Sequence, residues 1–469
     1  MIQFFPKQIS ERAIITYFVA LIIVSIVFIN YAMLFEYIVF GIICVPGFFV
    51  MTHRWSIEWE DISEKNYVTR LFGIAVTLRL IWVVLSYFHY IEITGQPFEV
   101  GAADAMGYHG ESEWISTMSW PMVLDYFLSN GSRGISDVGY LLYLTTLYKI
   151  VGPIIIIPRI IKALLSAWMS ILIYRLGSRM FGEKVGRMAG IMCALMPNFI
   201  IYCGYHLKET EMIFLEVAFM ERMDNLLRNK EYNFWSICVP LLLVGSLFCF
   251  RTVLGVAAAF AFFTSVVFTN TPSMKKNNRR IVIIIWSLLC VIVAGGGTLM
   301  TEIEGYWDKR TSNSENKRME QASRGNQWAL YATGSVMAPM VVSLPFATMV
   351  DIDALQVAQQ TKHGGNYIRN FMAFFAILSM YEAVRQKKWR DFTLVGAFTM
   401  TYLGIISLSG FGNSERFLLP GLPGLVVMWA YGVSQLRAES FRLLKYWSII
   451  VVLMEVGWAY FKVGSRGLM

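Results

Sequence analysis

What most constrains this chain is a series of long apolar runs that recurs along nearly its whole length. Residues 13–51 form a stretch far too long for one crossing of a hydrocarbon core, which takes about 20 residues, and Asn30 with Tyr31 supplies its polar break. It reads as two helices in a tight hairpin. Further runs of spanning length occupy 71–91, 156–174, 188–204, 212–227, 234–250, 252–268, 281–299, 368–384, 392–408, 417–436 and 446–461, which predicts about 13 spans in all. The runs are continuous rather than alternating decamers, so a membrane barrel is excluded. Composition agrees: 56% of residues are hydrophobic, only 15% are charged and mean hydropathy is +0.53, too little polar surface to cover a soluble particle. An all-α polytopic membrane protein is expected, with 14 Trp and 23 Tyr to stand at its membrane interfaces.

The formal charge of +8 sits in short clusters between the runs, where orientation in the membrane explains it and no nucleic-acid partner is called for. Arg54 with Lys65 and the clusters at 175–187, 222–230, 275–280, 385–390 and 437–445 are expected to face the cytoplasm. The loop at 92–136, the turns at 206–209, 251 and 410–416, and the long loop at 301–366 then face outward. This works only if 138–151 and 332–350 do not cross: the first is short for a core of about 30 Å, and the second is broken by Gly334, Pro339 and Pro345. Both are expected as interfacial or re-entrant elements on the outer side. The segment 301–326, rich in Glu, Lys, Arg, Ser and Asn, reads as a solvated outer loop. The chain divides into an N-terminal hairpin with its cytoplasmic loop (1–69), a central module (70–436) with outer loops 92–155 and 300–367, and a C-terminal helix (437–469). Cys44, Cys193, Cys203, Cys238, Cys249 and Cys290 lie in or beside apolar segments with no Cys-x-x-Cys pair, so neither a disulfide framework nor a thiolate metal site is indicated. The first run passes into a second without a small-residue cleavage site, and no cleavable signal is expected.

Ionisable groups near membrane depth are costly, which draws attention to those at the outer ends of spans. In the first outer loop Asp104 and Tyr108 stand four apart and would share a helix face, followed by His109; the plainer reading is a solvated acidic loop. His206, Lys208 and Glu209 lie in a short link between apolar runs, where an interfacial Lys208–Glu209 ion pair is the alternative to function. Arg251 is a single cation between two runs, either a snorkelling anchor or a functional group. Glu415 and Arg416 precede a span interrupted by Pro420 and Pro423, a pattern that often marks irregular backbone lining a site. His53, His89 and His363 lack zinc-site spacing, and no Walker loop, dinucleotide fingerprint or nucleophile elbow occurs.

Taken in order, these motifs resemble one family. Asp104 with Tyr108 and His109, the run Leu-Leu-Tyr-Leu-Thr-Thr-Leu-Tyr-Lys-Ile-Val-Gly at 141–152 followed by Arg159, Tyr-Arg-Leu-Gly-Ser-Arg-Met-Phe-Gly at 174–182, Ala-Leu-Met-Pro at 194–197, His-Leu-Lys-Glu at 206–209 and Arg-Phe-Leu-Leu-Pro-Gly-Leu-Pro at 416–423 are similar to the GT-C superfamily of polytopic glycosyltransferases. The branch resembled is that of the protein O-mannosyltransferases and the lipid A aminoarabinose transferase. The likeness covers roughly 71–431, leaving the N-terminal hairpin as an addition, and Asp104 stands alone where some relatives carry an Asp-Glu pair. The resemblance implies a polyprenyl-phosphate-linked sugar donor and a glycan, lipid or protein acceptor at the extracytoplasmic face of the cell (inner) membrane. It assigns Asp104 as base and matches Glu209 to the second-loop acid. Lys208, Arg251, Arg416 and Arg159 become the cations for a lipid phosphate, with Tyr108, His109, His206 and Glu415 completing the expected substrate-binding set. The chemistry is sensible: an acceptor hydroxyl needs a carboxylate to take its proton, whereas a phosphate leaving group needs cations rather than an acid. No cofactor is required, though outer carboxylates leave a divalent metal open. A transporter or flippase is the competing class, against which the spans carry few ionisable residues and no inverted repeat. An O-antigen polymerase or ligase is a third, disfavoured by the early position of the acidic loop.

Overall fold

A computed structural model describes residues 4–129, 135–228, 234–268, 340–352, 357–408 and 414–464, with a few positions between 312 and 323. The run at 281–299, nearly all of the loop at 301–326 and most of the turn at 410–416 lie outside the described residues, as does the first part of 332–350. Within them every element is helical except one isolated bridge between Ala32 and Val350.

The N-terminal hairpin is α1 (Lys7–Val27) and α2 (Phe35–Glu58), turning at Ile29–Tyr31 as the Asn30–Tyr31 break predicts. α3 (Glu64–Thr94) starts where the Ser63 hydroxyl accepts from the Asn66 N–H at 3.4 Å and stops at Gly95, whose φ of 73° suits a residue without Cβ. The segment 92–155, expected as an outer loop, folds into α4 (Ala103–Ser116), α5 (Trp120–Leu128) and α6 (Ile135–Val151). α7 (Ile156–Phe181) and α8 (Glu183–Leu195) form a close antiparallel pair: a Cβ on Gly186 would stand 2.0 Å from Ser178 Oγ and 2.5 Å from Tyr174 O.

The run at 188–204 is not one rod. Met196 precedes Pro197 in extended conformation (ψ 116°), and the chain restarts as α9 (Pro197–Ile201), bent by 50°. Pro197 has no N–H for the Cys193 carbonyl. Buried Arg79 supplies the missing donors, reaching Cys193 O at 3.3 Å and Ala194 O at 2.9 Å while its Nε holds Ser166 Oγ at 2.7 Å.

α10 (Glu209–Arg228), α11 (Phe234–Phe250) and α12 (Thr252–Phe268) follow, then α13 (His363–Arg385) and α14 (Thr393–Leu408). A short turn at Glu415–Leu418 leads through Leu419–Gly421 into α15 (Leu422–Ser434), and α16 (Ala438–Gly464) is the last described helix. α15 is the most enclosed helix, against α8 and α13, while α1, α2, α3 and α16 keep exposed apolar faces.

Six described helices are long and apolar enough to cross a membrane, or seven with the bent α8–α9 pair. Among the described residues, which leave out the run at 281–299, the expected count of about 13 is not confirmed. α11, α12 and α14 are apolar but short, and α10 carries Glu209, Glu211, Glu216, Glu221 and Asp224. The expectation of few ionisable residues at depth is corrected as well. Arg79, Arg159, Lys162, Glu209, Glu211, Glu216, Arg369, Glu382 and Glu455 are all buried.

Candidate functional site

The residues read from the sequence converge at the N-terminal ends of α4 and α10. Asp104 stands in the first turn of α4, its side chain 58% exposed, and pairs through Oδ2 with Arg416 Nη1. The Arg416 Nε donates to Glu209 Oε1 at 2.5 Å, so one guanidinium bridges two carboxylates that lie far apart in sequence. Glu209 is fully buried and also meets Arg251 Nη2 at 3.4 Å. Burial by itself would raise the Glu209 carboxyl, but Arg416 and Arg251 outweigh it and hold the group below the usual carboxylate range.

Arg251 is neither isolated nor a snorkelling anchor. Only 4% of its side chain is exposed; it donates to Tyr402 Oη at 3.2 Å and lies 4.8 Å from the centre of the Phe417 ring. Tyr402 in turn donates to Phe417 O at 2.9 Å, tying α14 to the turn that carries Arg416. The Lys208–Glu209 ion pair that stood as the alternative to function gives way to another partner. Lys208 Nζ pairs with Asp137 Oδ1 on α6 and donates to Ser136 O at 2.8 Å and Phe250 O at 2.5 Å. The link at 206–209, expected as a short turn, is buried within the protein. Burial, with Arg251 adding to it, pulls the Lys208 ammonium down to about 8 despite Asp137 and Glu209.

Tyr108 turns inward from Asp104's helix and donates to Asp137 Oδ1 at 2.8 Å. His109 and His206 meet through Tyr148, whose hydroxyl lies 2.8 Å from His109 Nδ1 and 3.1 Å from His206 Nε2. Burial pulls both imidazoles below the usual histidine range, with Lys162 and Arg159 pushing His206 further down and Glu113 opposing the shift at His109. Glu415 is held by Asn198 and Tyr202, each at 2.7 Å, and by Lys362 at 3.1 Å. Arg159 makes its contacts elsewhere, to Pro97 O and the Tyr87 ring.

Sequence reasoning missed Asp137, Tyr402, Asn198, Tyr202 and Lys362. Asp137 had a signal, an acid directly before an apolar segment; Asn198 follows Pro197 at the break. Tyr402 inside a run had none. Among the described residues no three His, Cys, Asp or Glu converge as a metal-holding group. The carboxylates of Asp104 and Glu209 share Arg416, and a divalent cation between them would meet that guanidinium, so the donor set does not fit a metal.

No family model matches the sequence, and no curated protein matches it. Two crystal structures of the Archaeoglobus fulgidus oligosaccharyltransferase, one in complex with Zn and sulfate and one in the apo form, are similar in shape. Both give a TM-score of 0.47, with 11% and 12% identity over 85% and 86% of this chain. The chain spans 53% and 56% of the length of those chains, about half.

Proposed function

We propose that this chain is a membrane glycosyltransferase that moves a sugar from a polyprenyl-phosphate donor to an acceptor hydroxyl on the extracytoplasmic face. The observation that carries this reading is the single guanidinium of Arg416 joined to both Asp104 and Glu209, a meeting of motifs that the resemblance names and that nothing in chain proximity requires.

Asp104 is the exposed member and takes the acceptor proton. The acceptor oxygen then forms its bond to the anomeric carbon as the bond to the phosphate oxygen breaks, the phosphate keeping the electron pair; one displacement inverts the anomeric centre. Arg416, partly exposed beside Asp104, meets the charge that grows on the phosphate. Arg251 and Glu209 are buried beneath it, and their part is to fix the guanidinium's direction.

Asp104→Asn keeps the size and removes the base. Transfer of a radiolabelled sugar from donor lipid should fall roughly 10²- to 10⁴-fold while donor binding stays near wild type. Asp125, an exposed acid on α5, is the matched control. Glu113 and Glu111 are less suitable, since they contact His109 and Tyr126. Transfer by Asp104→Asn at close to the wild-type rate would remove Asp104 as base.

A transporter is the second reading, favoured by the buried ionisable groups at depth, Lys162 with Glu211 at 3.7 Å among them. Substrate-driven flux into proteoliposomes with no sugar transferred would decide for it.

A further inference from the structure

α1 and α16 lie outside the stretch of family likeness at 71–431, both are apolar enough to cross a membrane, and they pack along each other. Both start at the end remote from Asp104. α13 runs from beside Lys362, which pairs with Glu415, to Glu382, which Arg437 approaches at 3.8 Å just before α16, about 30 Å of helix. At this end Arg12 Nη1 of α1 donates to Phe441 O of α16 at 3.3 Å, and an open cavity of about 420 Å³ lies between the two helices. Its lining brings together three cations, Arg12 from α1 with Arg442 and Lys445 from α16, beside the neutral amide of Gln8. The acid in the lining, Glu11, pairs with Lys7 at 3.4 Å, and neither Arg442 nor Lys445 has an ion-pair partner among the described residues. Ile15 adds an apolar side to the cavity. From there the exposed residues Ile15, Val19, Ile22 and Ile26 follow one face of α1, and Ile449 and Leu453 continue the face of α16 that carries Lys445.

We infer that this cavity holds the headgroup of an anionic phospholipid, its phosphate among Arg12, Arg442 and Lys445 and its acyl chains along the exposed faces of α1 and α16. Charge complementarity selects the headgroup. Three cations, with the one acid of the lining already answered by Lys7, leave an excess of positive charge that a phosphodiester neutralises, and guanidinium and ammonium groups donate to its oxygens. Orientation in the membrane asks only for basic residues at one end of the spans, wherever on the surface they stand. It does not ask that cations from the first and last described helices meet around one concavity. Depth selects a lipid over a soluble anion. The cations stand where two apolar helices enter the bilayer, and apolar faces lead away from them along both, which fits a molecule with a charged head and apolar tails. Bound there, the headgroup ties α1 to α16 beside the contact between Arg12 and Phe441. The inference depends on neither the sugar chemistry nor Asp104.

In the test, full-length protein in detergent is titrated with phosphatidylglycerol or with phosphatidylcholine of the same acyl chains, and native mass spectrometry reads the Kd of the first bound lipid. Wild type should prefer phosphatidylglycerol. The double variant carrying Arg442→Gln and Lys445→Gln should lose at least tenfold in phosphatidylglycerol affinity, at roughly fivefold for each cation, with phosphatidylcholine unchanged. A control carrying Lys388→Gln and Arg390→Gln removes the same charge from exposed positions at the same end and should bind both lipids as wild type does. Equal affinity of wild type for the two lipids overturns the inference, as does an unchanged Kd in the first double variant. An equal loss in the control pair overturns it too, because the charge would then act at a distance and not through this cavity. Displacement of phosphatidylglycerol by millimolar inorganic phosphate at constant ionic strength would make the occupant a soluble anion, against the inference. Should the first double variant not fold, wild type is cross-linked to a phosphatidylglycerol with a photoreactive headgroup and digested. Label on peptides that hold 8–15 or 441–445 supports the inference, and label only elsewhere refutes it.

Discussion

Asp104 and Glu209 share one guanidinium, yet their surroundings assign them different work. The Asp104 side chain is 58% exposed, where a pair is screened and contributes about 0–1 kcal/mol, whereas Glu209 is fully buried between Arg416 and Arg251. Removing the buried partner leaves Arg251 charged and uncompensated. Glu209→Gln should therefore lower unfolding stability in detergent by about 3–5 kcal/mol, and Asp104→Asn by less than about 1 kcal/mol. Thermal unfolding of the two purified variants measures this directly, and equal stabilities would contradict the assignment of Glu209 as the buried keystone of the pair. Legibility followed the same division. Asp104 could be picked out because an acid four residues before a tyrosine sits in a loop, while the partners of Arg251 and Lys208 could not, since Tyr402 and Asp137 come from helices that meet them only after folding.

At the scale of elements, the break between α8 and α9 is what turns Asn198, Tyr202, His206 and Lys208 toward the site. A proline bend in an apolar segment frees a carbonyl, and with no water at that depth a side chain has to answer it. Arg79 does so from α3. Arg79→Met should cost several kcal/mol through the orphaned carbonyls and lost Ser166 contact, and Pro197→Ala, which returns an N–H to Cys193 O, should recover part of that loss in the double variant. Strictly additive melting shifts in this cycle would mean that Arg79 serves some purpose other than the break. Pro197 was visible in the sequence as a helix breaker; that its cap comes from a residue over a hundred positions earlier was not.

For the whole molecule, the ion pairs sort by end. α10 carries Glu209 at its start and Asp224 with Arg228 at its finish, about 28 Å apart along the axis. Around the far end, Arg179 holds Glu221 and Asp224 at 2.8 and 2.9 Å, Arg228 approaches Asp391 at 3.6 Å, and Arg385 and Arg437 converge on Glu382. Lys184, in the first turn of α8, pairs with Glu60 in the link between α2 and α3. Among the described residues, Arg179, Lys184, Arg228, Arg385 and Arg437 of the clusters expected to face the cytoplasm thus gather at the end opposite Asp104, while 275–280 lies outside the described residues, and 138–151 lies beside α4 and α11 as a short helix. A cysteine at Lys184 should be protected from an impermeant thiol reagent in intact cells, and one at Asp125 should react. Labelling at Lys184 would invert the orientation and take the proposed extracytoplasmic site with it.

Hydropathy is a local property, so the sequence by itself determined the helical membrane class, the hairpin break at Asn30–Tyr31 and the bounds of α11 and α12. Charge at depth is not local. Whether Arg251 snorkels or Lys208 pairs with its neighbour depends on which helix stands alongside. Burial forces each cation to find the nearest acceptor in space rather than in sequence, and only the tertiary structure decided that Arg416 would link Asp104 to Glu209.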